Sequence, residues 1–133
     1  MAEPRSRKLQ RLVRVQRQME RVAENDLAHT LRERADNDDA RAAVIDAMGS
    51  LEPAHRGMAL HYNRRHSGLE GKARQIAGMQ AILERRVITE KTKADRLAEA
   101  ASDAAEAEDR EAIDEGLFDL LDAAIARDGS SQG

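Results

Sequence analysis

Three of the four histidines, His55, His61 and His66, fall within twelve residues, beside Arg56, Tyr62, Arg64 and Arg65. Histidines and carboxylates at helical spacing are the raw material of metal sites. Glu52-Pro-Ala-His55 has the Glu-x-x-His spacing of a di-iron helix. That chemistry takes two such motifs and further glutamates on facing helices. Only one motif is present, and Pro53 interrupts it. His61 and His66 are five apart, a poor spacing for joint ligation from one helix. The expectation is no metal site. The cluster reads instead as a polar, partly aromatic contact patch anchored by Tyr62, because exposed Tyr is enriched at interface hot spots.

A second constellation is basic: Arg7, Arg11, Arg14, Arg17 and Arg21. With Leu9, Gln16 and Ala23 taken as a positions of a heptad, Arg7, Arg14 and Arg21 fall at f, the outermost face. The row is either a solvated face or an electrostatic docking stripe for an acidic partner. Nucleic acid is not the expected partner, since the chain is net acidic (−3) and lacks interleaved aromatics. A third constellation is the acidic stretch 106–128. It reads as a solvated amphipathic helix with Ile113, Leu117, Leu120 and Ile125 inside, or as an apolar face that docks on a partner.

No Ser–His–Asp arrangement, Gly-rich phosphate loop or paired-carboxylate pocket stands out. The absence of cysteine excludes disulfides and Cys-ligated zinc or iron–sulfur sites. No catalytic, cofactor-binding or metal residue is assigned, and the chain is not expected to be an enzyme.

The elements behind these residues are helical. Charged residues make up 35% of the 133 and aromatics 2%, with Ala, Glu, Arg and Leu dominant, which is the composition of long helices rather than of sheets. Ser6 suits an N-cap, and no Gly or Pro occurs from Lys8 to Met48. A seam runs through Leu9, Leu12, Gln16, Met19 and Ala23. It shifts by one residue to Leu27, Leu31 and Ala35, a stutter, and resumes at Ala42, Ile45 and Met48. A helix over 7–48 would be on the order of 65 Å long and needs a partner along it. Gly49 suits a left-handed helix end and Pro53 the first turn of the next helix, so a turn is expected at 49–53. The alternative turn is Ser67–Gly71. The second seam reads Leu69, Ile76, Met79, Leu83, Val87, Ala94, Leu97, Ala101 and Ala104. Helix 2 is expected over 54–128, and 129–133 as a disordered tail.

The fold expected is all-α, a long antiparallel two-helix coiled-coil hairpin forming a single domain over 1–128. Charge supports the antiparallel sense. Residues 1–35 carry nine Lys/Arg against five Asp/Glu, whereas residues 95–133 carry three against twelve. A hairpin sets these blocks beside each other. Each block is wrong for its own helix dipole, and attraction across the helices would offset that.

In length, hairpin plan, aromatic-poor Arg/Glu/Ala composition and the late segment Arg110-Glu-Ala-Ile-Asp-Glu115, the chain resembles the small stalk proteins of type III export. These are the flagellar FliJ family and its injectisome counterparts. The resemblance covers nearly the whole chain but rests on no single motif. It implies a rotor-like stalk whose paired termini engage a hexameric export ATPase and whose other end contacts the export gate in the membrane. Arg7, Arg11, Arg14, Arg17 and Arg21 would then bind the ATPase, and His61, Tyr62 and Arg65 would lie nearer the gate. The scarcity of aromatics near the tip departs from the family. A stalk should be monomeric alone; the competing reading is a self-assembling coiled-coil scaffold or helical chaperone. No stretch approaches the roughly 20 apolar residues of a membrane span. The opening residues lead into charge without a signal-peptide core, which points to the cytoplasm.

Overall fold

The computed structural model describes residues 2–131, and nearly all of them are helical. Helix α1 spans Arg5–Met48 (44 residues), α2 is the single turn Pro53–Arg56, and α3 spans Ala59–Ser131 (73 residues). No strand occurs among the described residues. Helices α1 and α3 pack against each other as a helical hairpin, in two compact units. One holds the residues up to Arg17 with those from Thr92 onward, and the other holds Gln18–Lys91.

The reversal of the chain belongs to Gln18–Lys91. Helix α1 closes with Gly49 N–H donating to Ile45 O (3.1 Å) and Ser50 N–H to Ala47 O (3.2 Å). Gly49 does not take the left-handed conformation expected of it, for no glycine has positive φ among the described residues. Helix α1 stops at Met48 without it, and Pro53 shapes the far side of the turn. Pro53 disfavours the helical region for the residue before it, and Glu52 is extended, with φ −67° and ψ 138°. Glu52 N–H donates to Ser50 Oγ (3.2 Å), which tightens the corner. Pro53 opens α2, where its missing N–H costs nothing. Gly57 and Met58 then separate α2 from α3, so the second long helix starts at Ala59 rather than at 54. Residues 67–71, the alternative turn, lie inside α3.

In this unit the packing is antiparallel. Arg86 reaches Asp26, Arg34 donates to Gln80 Oε1 (2.8 Å), and Asn37 Nδ2 donates to Leu69 O (3.1 Å). The α3 side of the seam is Leu69, Ile76, Leu83 and Glu90, buried at seven-residue spacing. A fully buried Leu or Ile contributes about 1.5–3 kcal/mol, so these three carry much of the packing. Met79, assigned to the seam, is exposed.

The α1 side differs from expectation. Its buried row is Ala23, Thr30 and Asn37, again every seven residues, with no stutter. Leu31, Ala35, Ala42, Ile45 and Met48 are exposed. The row carries a polar contact: the Asn37 amide donates to the Leu69 carbonyl within the seam, an inward polar position that a seam chosen by hydrophobicity does not include.

In the unit containing both ends of the chain, Ser6, Ala94 and Ala101 are buried. Leu9, Val13, Gln16, Leu97, Ala104 and Glu108 are half-buried around them. Ser6 pairs with Glu108 and Arg17 with Asp95 (3.0 Å), again antiparallel. Leu12, expected in the seam, is exposed.

The far end of α3 corrects a further expectation. Gly129 does not stop the helix, and the described part of the expected tail is helical through Ser131; residues 132 and 133 lie outside the described residues. A helical Gly costs only about 1 kcal/mol relative to Ala. Ser130 Oγ donates to Arg127 O (2.9 Å) and closes the last turn.

Candidate functional site

The unit holding the chain ends carries Arg7, Arg11, Arg14 and Arg17 of the basic set. Ser6 is not the N-cap but sits inside the first turn of α1, where Pro4 O accepts from Arg7 and Lys8 N–H. The cap comes from α3. Glu108 accepts the Ser6 N–H (3.0 Å) and the Ser6 hydroxyl (2.5 Å). A first-turn N–H lacks a partner within its own helix, and a carboxylate there also complements the helix dipole. The Ser6 hydroxyl, with its N–H second, holds the Glu108 carboxyl below the usual carboxylate range.

Arg7, Arg11 and Arg14 are exposed here, and Arg17 is half-buried. Arg11 forms an exposed ion pair with Glu3 through both carboxylate oxygens, which lowers the Glu3 pKa and raises that of Arg11. Arg17 holds Asp95. Arg14 makes no hydrogen bond or ion pair among the described residues. It is not on the outermost face, because the corrected seam turns it toward α3. It lines a shallow groove with Gln10, Val13, Ala98, Ala101, Ser102 and Ala105. On another face of α1, Lys8, Arg11, Leu12 and Val15 form an open patch, with Leu12 51% and Val15 54% exposed.

Beyond Glu108 no described residue covers α3. Ile113, Leu117, Phe118, Leu120, Leu121 and Ile125 are 55–68% exposed. The expectation that Ile113, Leu117, Leu120 and Ile125 lie inside therefore fails. Helix α1 begins at Arg5, level with Glu108 through the Ser6 contact, so no residue of α1 reaches this stretch. The most acidic part of α3 thus does not lie beside the basic start of α1; that start meets 95–108 instead.

In the unit Gln18–Lys91, Arg21 is exposed and makes no ion pair among the described residues. The turn carries the histidine cluster. Tyr62 is half-buried rather than a free anchor: its hydroxyl sits 2.8 Å from His55 Nδ1, and both His55 and His61 rings lie within 6 Å of its own. His61 and Arg65 are exposed, and His66 lies 3.6 Å from Glu70. Arg41 also pairs with Glu70 and, ahead of His66, holds that carboxyl below its usual range. Leu51, Met58 and Leu60 are further exposed apolar residues at the turn, beside Met48. Sequence reasoning passed over them because they belong to no periodic row. No group of three or more His, Asp or Glu is placed to hold a metal among the described residues. No helix among them is long and apolar enough to cross a membrane.

Comparison with protein-family models, curated proteins and solved structures gives no match.

Proposed function

We propose that this chain is a non-enzymatic coiled-coil protein that works by binding other proteins, in the manner of the type III export stalks its sequence resembles. In this reading the hairpin is a cytoplasmic stalk. Arg7, Arg14 and Arg21, with Arg11 and Arg17, meet the acidic surface of an export ATPase ring, and His61, Tyr62 and Arg65 meet the export gate. The observation that carries it is the basic row on α1. Arg7 and Arg14 are exposed in one unit and Arg21 in the other, and neither Arg14 nor Arg21 has an acidic partner among the described residues. Charges held at a surface without a partner attract an opposite surface over roughly a Debye length, about 10 Å at 0.1 M salt. They act chiefly on the rate of encounter. The seven-residue spacing of the buried rows Ala23, Thr30, Asn37 and Leu69, Ile76, Leu83 supports coiled-coil packing.

The test is Arg7→Glu, Arg14→Glu and Arg21→Glu combined, assayed with the candidate ATPase hexamer at two salt concentrations. Association should slow by roughly tenfold or more, and raised salt should do the same to the wild type. Circular dichroism should be unchanged, since all three side chains are exposed. Unchanged binding by the folded triple variant would show that the basic row is only solvated surface.

A further inference from the structure

We propose that residues 109–125 of one copy dock on the open face formed by Lys8, Arg11, Leu12 and Val15 of a second copy, giving a two-fold dimer.

Both surfaces are uncovered in the single chain. The α3 stretch presents Ile113, Leu117, Leu120, Leu121 and Ile125 exposed, with no described residue upon them. The α1 face presents Leu12 and Val15 beside two bases, Lys8 and Arg11. A contiguous exposed apolar surface marks an interaction site.

Charge selects the occupant. Residues 5–17 hold six Lys/Arg and no acid, whereas 109–128 hold seven Asp/Glu against two Arg. Two copies of the α3 stretch facing each other would place like charges together. The α3 stretch on α1 places opposite charges together, so the chain carries the complement of its own uncovered face.

Geometry allows the contact to be made twice. Within this unit α1 and α3 run antiparallel, with Ser6 level with Glu108. A two-fold axis across the helices at that level sets the α3 end of each copy alongside, and parallel to, α1 of the other. Equal helical rise then brings Ile113 and Leu117 level with Leu12 and Val15. Glu111 and Asp114 fall within one turn of Lys8 and Arg11. Arg11 holds Glu3 in the single chain in an exposed pair, a contact that such pairs exchange at little cost. The interface is isologous and closes at two copies. It requires no export machinery, but it takes up Arg11 and makes the isolated chain a dimer, so a dimeric wild type would favour the self-assembling reading over a stalk that is monomeric alone.

The experiment is sedimentation of the full chain over a wide concentration range, with two charge-reversed variants. One is Lys8→Glu with Arg11→Glu, and the other is Glu111→Lys with Asp114→Lys. The wild type should show a monomer–dimer equilibrium. Each variant alone should associate roughly tenfold or more weakly, because both of its contacts pair like charges. Mixed together, the two should form a heterodimer of near wild-type strength, since one contact is native and the other is reversed on both sides. A wild type that stays monomeric throughout overturns the proposal. So does a Lys8→Glu, Arg11→Glu variant that dimerises like the wild type, which would place the α3 ends against each other. Leu117→Asp with Leu120→Asp, folded by circular dichroism, should be monomeric; its dimerisation would equally overturn the proposal.

Discussion

Two consecutive stretches of α3 invert the usual relation between side-chain size and burial. In 92–108 the contact with α1 is made mostly by alanines, with Ala94 and Ala101 buried and Ala98, Ala100, Ala104 and Ala105 half-buried. In 109–130 the side chains are larger, and every residue is exposed. Small residues let two helices approach closely, and large ones need a facing surface to bury them. The first stretch has α1 opposite it and the second has none, because α3 has 73 residues against 44 in α1. Burial here is set by where the opposing helix begins. The large apolar residues of the second stretch make sense as one half of an interface.

The strongest way to break this comparison is to charge a covered position and find it tolerated. Leu83 is 7% exposed in the seam of Gln18–Lys91. Leu83→Asp removes a buried apolar side chain and places an unpaired carboxylate there. The expected cost is about 3 kcal/mol or more, read as a lowered midpoint in urea unfolding. A midpoint close to the wild type would mean that Leu83 does not face α1.

The sequence made the α3 seam legible and hid the one on α1. Leu69, Ile76 and Leu83 combine strict sevens with strong apolar character, so periodicity and hydrophobicity agree. On α1 they disagree. The inward residues include Ser6, Thr30 and Asn37, while Leu12, Val15, Met19, Val22 and Leu31 are exposed. A seam chosen by hydrophobicity therefore takes the wrong companion row beside Ala23. The turn was legible because Pro53 acts on Glu52 locally, without tertiary help. The Glu108 cap was not, since it joins residues 102 apart in sequence. Of the candidate binding residues, exposure of Arg7, Arg11, Arg14 and Arg21 was legible from charge, but the half-burial of Arg17 against Asp95 and the occupation of Arg11 by Glu3 and of Tyr62 by His55 follow from contacts no periodicity encodes.

A smaller effect sharpens the boundary between the two stretches. Glu108 is where coverage ends, and Ser6 is what it holds. Ser6→Ala should lower stability slightly at neutral pH and speed exchange of the first-turn amides of α1. The Glu108 pKa is depressed in the folded protein. Its contribution is therefore present above the ordinary glutamate pKa, about 4.3, and is lost as pH falls through the lower folded value. The stability difference between wild type and Ser6→Ala should shrink as pH falls below that range. A difference that holds constant into strong acid would show that the loss is one of packing rather than of the charged cap.

The smallest effect is expected where the side chain is large and the coverage nil. Leu117 is 55% exposed beyond the end of α1. At concentrations where the chain is monomeric, Leu117→Asp deletes no internal contact that α1 could supply. What changes is local. Asp has lower helix propensity than Leu, by a few tenths of a kcal/mol, and a new acid joins a stretch already rich in them. The global unfolding midpoint should stay within about 0.5 kcal/mol of the wild type, while amides of 109–130 exchange somewhat faster. The contrast with Leu83→Asp is the comparison in its sharpest form: the same substitution, in the same helix, differing only in whether a second helix lies opposite. If Leu117→Asp destabilised the dilute monomer as Leu83→Asp does, 109–130 would have to be packed against its own chain in solution. The face offered to a second copy would then already be occupied.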